Sequence, residues 1–348
     1  MKDVSAGPTR RTEFFLRSYP IVDGMQEHAA AVECDGWDGL LFTDTQNLSM
    51  DVFASLYLAA GATSHLRLGT AVTNLTSRHP AVVASAFATL QHVTGGRAHL
   101  GIGRGDSALE LIGVKPPSAS QFEGQLLQLQ NYLRGAPVSL GDFESRITWL
   151  PLADEPKVPV DVFCSGPLVT SVGARLGDRV TLTVGADAER VRRSMQAIRQ
   201  VRHDAGLESE DFDVGAFVVV GAGTDRRAIE EIVRGNASVS AHFQRNVVSS
   251  MPAAEAAAVE EVTNRYDYYH HGLEHAEQSE SLTADFLSQF CIVGTPDYCA
   301  ERLRGLIDIG LSHVVIVGGS RDIDPATRER SDQLIAREVL PAVKSTSA

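Results

Sequence analysis

Only four cysteines occur in 348 residues, and none sits in a CxxC spacing. That leaves the chain without a disulfide framework or a thiol-rich metal motif, and Cys34, Cys164, Cys291 and Cys299 read as reduced thiols. Positive charge is also scarce: 31 Lys and Arg stand against 44 Asp and Glu, for a formal net charge of −13. This excludes a general affinity for nucleic acid or anionic membrane, though not a local basic pocket. No run approaches the roughly 20 apolar residues of a membrane span. The opening stretch, MKDVSAGPTRRTEFF, has no apolar core of signal-peptide length, so a soluble cytoplasmic protein is expected. A complete G-x-G-x-x-G is missing as well. Gly101-Ile102-Gly103-Arg104-Gly105 breaks the pattern at Asp106, and Gly221-Ala222-Gly223 breaks it at Arg226. No G-x-S-x-G elbow and no H-E-x-x-H occurs, which removes the familiar serine-hydrolase and zinc-protease readings.

What is present alternates. Short apolar runs such as Gly39–Thr43, Ala98–Ile102, Val160–Phe163, Val214–Val220 and His313–Val317 are separated by helical stretches. The segment from Arg67 to Ser107 shows the unit most clearly. A strand over Arg67–Val72 leads to a helix that Pro80 opens and Gly95-Gly96 closes, and a second strand follows. Eight such strands with no break in composition predict an α/β protein, a single (β/α)8 barrel domain over residues 1–348. A long helical excursion from Asp225 to about Gln289 falls between strands seven and eight. Residues Gly135–Pro159 read as an irregular piece with a hairpin near Gly141-Asp142.

Chemistry in such a barrel gathers at the carboxyl ends of the strands. Asp44 ends strand two, and Asp106 follows strand four either as a functional carboxylate or as a helix cap. Cys164-Ser165-Gly166-Pro167 runs from strand five directly into a helix. Its free backbone N–H groups suit an anion, with Ser165 and Thr170 as further donors, or serve as an ordinary helix start. His270, His271 and His275 cluster in YDYYHHGLEH, but Gly272 interrupts the helix between them. A polar lid over the barrel mouth is the better reading there than a metal site.

The stretch LGTAVTNLTSRHPAVVASAFATLQHVTGGRAHLGIGRGDS resembles the bacterial luciferase-like superfamily of flavin- and deazaflavin-dependent oxidoreductases, closest to its methylenetetrahydromethanopterin reductase-like branch. LLFTDT, VFCSGPLVTSVGARLGDRVTLTV and FCIVGTPDYCAERLRGLIDIGLSHVVIVG extend the likeness over about Glu13–Gly319. The resemblance implies a homodimeric TIM-type barrel holding coenzyme F420, with FMN as the alternative. It implies a non-prolyl cis peptide behind the ring at Ala71–Val72, and a phosphate cradle at Ser165, Gly166 and Pro167. Arg104 matches a phosphate-gripping arginine, Asp44 an acid beside the ring, and Asp106 a catalytic carboxylate. Asn74 and the Arg78-His79-Pro80 loop match the methanopterin branch.

The implied activity is an F420-dependent reductase passing hydride to a small unsaturated organic molecule. Asp106 would supply or relay the proton, its pKa raised by burial. An FMN-dependent monooxygenase is the alternative, favoured by Arg104, and a non-catalytic flavin-binding barrel is a third reading. Thr45 stands where several relatives place a His after the strand-two acid, which argues against alcohol oxidation. No metal and no macromolecular partner beyond a second copy is expected.

Overall fold

The computed structural model describes residues 11–150 and 155–345. The first ten residues, on which the reading of the chain's opening rests, lie outside it, as do residues 151–154 of the irregular piece. Eight parallel strands close a barrel: β1 Glu13–Ser18, β2 Gly39–Phe42, β3 Arg67–Thr70, β4 Ala98–Ile102, β5 Val160–Cys164, β6 Arg179–Leu182, β7 Asp213–Ala222 and β8 His313–Val317. Closure is made where β8 pairs with both β7 and β1, with Glu13 beside His313. The strands β2, β4, β5 and β8 are buried along their whole length, as parallel strands under a coat of helices must be. No helix among the described residues is long and apolar enough to cross a membrane.

Local signals start the helices. Pro80 occupies the first turn of Pro80–Val93, and His79 Nδ1 accepts the Ala81 N–H. Ser118 and Gln121 form a reciprocal capping box on Ala119–Leu133. The expected hairpin joins Val138–Leu140 to Phe143–Ser145. The excursion leaves β7 for the helices Arg226–Phe243, Ala253–Asn264, Glu277–Glu280 and Ala284–Phe290. It returns as a short strand, Cys291–Gly294, which lies parallel to the last residues of β7.

One detail departs from the sequence reading. Strand three ends at Thr70 rather than Val72; the chain then passes the cis bond Ala71–Val72 and touches β4 again only through Thr73 and Ile102. The final helix continues past Leu340 to Lys344 through a widened turn at Ile335–Val339. Pro341 explains the widening, because it lacks the N–H that would bond the Arg337 carbonyl.

The barrel interior is layered. Phe15, Leu41, Phe163, Phe217 and Val315 fill its middle. Beneath them sits a fully buried polar group in which Asp161 Oδ2 accepts the Thr181 hydroxyl at 2.7 Å and lies 3.1 Å from His99 Nε2. His313 Nε2 stands 2.8 Å from the same hydroxyl. Burial would raise Asp161, but the charge and hydrogen bond of His313, together with His99, hold it down. The lower end of the barrel is therefore plugged, and the open end is the carboxyl rim.

One carboxyl works against the fold. Asp332, on the helix Pro325–Leu334, lies so close to Gly318 that a Cβ there would meet its Oδ1 at 2.6 Å. Burial pushes it up to about 6 against the pull of Arg328. An acid raised above its unfolded value of about 3.9 stabilises fully below that value and loses the contribution as pH rises through the folded value. Asp332→Asn should therefore be more stable than the parent by on the order of 2 kcal/mol at about pH 8, with the gap closing near pH 4. Thermal melts at the two pH values check this; equal melting points at the higher one would refute it.

Candidate active site at the carboxyl rim

A cavity of about 610 Å³ opens at the carboxyl ends of the strands. Of the residues singled out in the sequence, Asp44, Ala71, Val72, Asn74, Arg104, Asp106, Ser165, Gly166 and Pro167 line it, while Thr170 and Arg78 do not. Their convergence follows from closure, since every barrel strand delivers its last residues to the same rim.

Asp44 is buried just past β2. Its Oδ2 accepts the Thr73 hydroxyl at 2.6 Å and pairs with Arg78, whose other arm reaches Asp51 at 3.2 Å. Burial raises Asp44, opposed by Thr73 and Arg78. Asn74 Oδ1 accepts the N–H groups of Thr76 and Ser77 at 3.0 and 2.8 Å, which folds the loop that presents Arg78. Thr45, the residue in the expected His position, lies 3.2 Å from the Ser107 hydroxyl and ties the β2 and β4 loops together.

Asp106 differs from expectation. It precedes the short helix Ser107–Glu110, yet its side chain caps nothing there. Instead Oδ1 accepts from Arg245 Nη2 at 2.8 Å and lies 3.5 Å from His242 Nε2. Burial would raise its pKa, but His242 and Arg245 outweigh burial and hold it down to about 2. The expected raised pKa is overturned: Asp106 is an anion throughout the neutral range, because two donors from the excursion point at it.

The β5 turn has a mixed outcome. Gly166 precedes the helix Pro167–Leu176, and the first-turn amides of Leu168 and Val169 face no intrahelical acceptor. Arg104 and Lys115 line the same cavity. Arg104 Nε donates to the Pro117 carbonyl at 2.8 Å, which fixes its stem. Ser165 gives its proton to the Phe243 carbonyl, and Thr170 gives its own to the Gly166 carbonyl. Thr170, expected as a donor to a ligand, is instead spent on its own helix. The turn offers amides and cations rather than hydroxyls. Cys164 is inert on this wall, its thiol pushed by burial up to about 12.

The histidines separate. His271 is buried, lines the cavity and places Nδ1 2.8 Å from the Tyr266 hydroxyl. Burial lowers it to about 4, so it is neutral at pH 7. His270 pairs with Asp267 and His275 with Asp322, both away from the cavity. Among the described residues, no group of three or more His, Cys, Asp or Glu is placed to hold a metal ion.

Sequence reasoning missed Arg17, Lys115, His242, Arg245 and Tyr266. His242 stacks on Tyr266 with ring centres 3.8 Å apart and meets the Tyr268 hydroxyl at 3.1 Å. A signal existed for Arg17 alone, a cation directly after the apolar run Phe14–Leu16 and two positions after Phe15. The others belong to loops whose partners are distant in sequence.

A family model described as luciferase-like monooxygenase matches residues 10–313. The chain is 26% identical over 333 residues to a 5,10-methylenetetrahydromethanopterin reductase of Methanolobus tindarius, covering 94% of this chain and 98% of that protein. It is 28% identical to the enzyme of the same name from Archaeoglobus fulgidus, covering 92% and 96%. A coenzyme F420 dependent tetrahydromethanopterin reductase from Methanopyrus kandleri superposes with a TM-score of 0.74 at 22% identity, over 95% of this chain and 99% of that one.

Proposed function

Because the chain belongs to the luciferase-like monooxygenase family, we propose that it is an oxidoreductase using the deazaflavin coenzyme F420 to reduce a small unsaturated organic molecule. The observation that carries this reading is the rim cavity itself. It presents the amide turn at Gly166 with Arg104 and Lys115, a donor set suited to a phosphate, and two carboxylates, Asp44 raised and Asp106 lowered from the ordinary value. The residues fit such a cofactor: amides at a helix start and two cations for the phosphate, with Ala71 and Val72 as apolar lining for a ring.

When bound, reduced F420 supplies a hydride for one carbon of a double bond and leaves oxidised, while a proton completes the other carbon. The protein's own part is to exclude water, orient and deliver that proton. Asp106 is fixed as an anion and serves to hold Arg245 and His242 over the cavity. Asp44, the carboxyl whose burial favours the protonated form, is the proton carrier in this reading. Cys164 and His271 hold no charge at pH 7 and leave the field of the site to these groups.

Titration of the purified chain with F420 and with FMN, oxidised and reduced, tests the reading. F420 should bind at about micromolar strength or tighter, and Arg104→Met should weaken it about tenfold. Tight binding of reduced FMN alone, followed by an oxygen-dependent spectral change, would instead establish the monooxygenase. Binding of neither would remove both enzyme readings.

A further inference from the structure

At the inner rim of β1, one pleat above Phe15, Arg17 is 93% buried and lines the cavity, with 7% of its surface exposed. Its guanidinium lies over the Tyr19 ring at 3.8 Å, and its Nε finds no hydrogen-bond partner. Among the described residues no carboxylate is paired with it. Asp44 is taken by Arg78 and Asp106 by Arg245. A neighbour shows the contrast. Arg321 sits 5.2 Å from the same tyrosine ring, but it is tied to the carbonyls of His271 and Leu48. One of these two guanidiniums braces the loops; the other is left open toward the cavity.

A guanidinium stays charged in any protein environment, so burial without a counter-charge is unfavourable until an anion arrives. Tyr19 fixes the plane of Arg17 in advance, and a planar fork of N–H donors matches a carboxylate edge-on. Position in the barrel separates this group from the phosphate cradle: β1 and β5 are four strands apart in a ring of eight and stand on opposite walls. His271 and Tyr266 on this side carry no charge, and Arg321 is already spent on two carbonyls, so a single negative charge is what Arg17 lacks.

We propose that Arg17 anchors a carboxylate of the substrate, making the molecule reduced here an unsaturated organic acid. The proposal rests on the reductase reading for its reaction, while the anion site stands on Arg17 alone. Calorimetric titrations without cofactor keep the two apart, since a chain that fails to bind F420 still answers for Arg17. The probes are trans-cinnamate, trans-cinnamamide and phenyl phosphate, added to the parent chain, Arg17→Lys and Arg17→Met.

The parent should bind cinnamate about tenfold or more tightly than the amide; Arg17→Met should abolish the preference and Arg17→Lys keep part of it. Should Arg17→Met fail to fold by near-ultraviolet circular dichroism, Arg17→Gln reads the same loss. Equal affinity for acid and amide, no acid binding up to about 20 mM, or a preference that survives Arg17→Met would overturn the proposal. Tighter binding of phenyl phosphate than of cinnamate, lost in Arg17→Met, would overturn the carboxylate assignment; phosphate binding that survives Arg17→Met belongs to the turn at Gly166 and leaves the comparison of acid with amide to decide.

Discussion

Asp106→Asn is expected to unfold earlier than the parent chain by about 3 kcal/mol at neutral pH and to lose most of its turnover. Removing the charge leaves Arg245, now three-quarters buried, and His242 without the anion on which both converge. The cost is that of a buried cation deprived of its partner, which exceeds the net worth of the pair. The pH dependence identifies the group. A carboxyl held at about 2 in the fold and near 3.9 when unfolded contributes fully above the unfolded value and loses that contribution as pH falls through the folded one. The gap between parent and variant should stay level from about pH 5 to 8 and shrink below about pH 4. Denaturant melts across that range decide the matter. A variant as stable as the parent at pH 7, or a gap that widens on acidification, would show that Asp106 is not the fixed anion of this site.

The second large effect is structural. An added Cβ on Gly69 would lie 1.8 Å from the His99 carbonyl oxygen, and one on Gly101 would lie 1.9 Å from that of Thr70. Both obstacles are backbone of the neighbouring strand, so no side chain can swing aside. Gly69→Ala and Gly101→Ala would pry β3 from β4 directly below Ala71–Thr73. Each should cost about 4 kcal/mol or more and leave little soluble protein. Gly61 is the control. It lies inside the helix Val52–Ala62 with open space where a Cβ would point, and Gly61→Ala should stabilise by about 0.5–1 kcal/mol. Expression yield and melting point of the three variants test this, and a well-folded Gly101→Ala would contradict the packing described.

The barrel was legible because its signals are local. Pro80, Gly95-Gly96 and the runs AHLGI and HVVIV each declare an element within a few residues, and alternation alone then suggests closure. The rim was legible through the same rule, and the cis bond came from resemblance. What could not be read is any property set by a partner distant in sequence. Asp106 owes its anionic state to His242 and to Arg245, 139 residues away, both brought to it by the excursion. His271 and His275 look alike four residues apart, yet the turn at Gly272, with φ of 75°, sends one into the cavity and the other to Asp322. Arg17 belongs to no motif; only closing the sheet shows that its side is the inner one.

The excursion both leaves and rejoins the barrel on one strand. Ala222 and Gly294 end up side by side, and Gly223 N–H bonds the Gly294 carbonyl at 2.9 Å, so the two feet are stapled together. Val239, Phe243, Arg245, Asn246, Val247 and His271, a whole wall of the cavity, enter the chain between those two feet and are tied to the rim by Ser165 at Phe243 and by Asp106 at Arg245. Changes of sequence between those feet would therefore reshape one wall of the cavity while the eight strands and the turn at Gly166 keep their register.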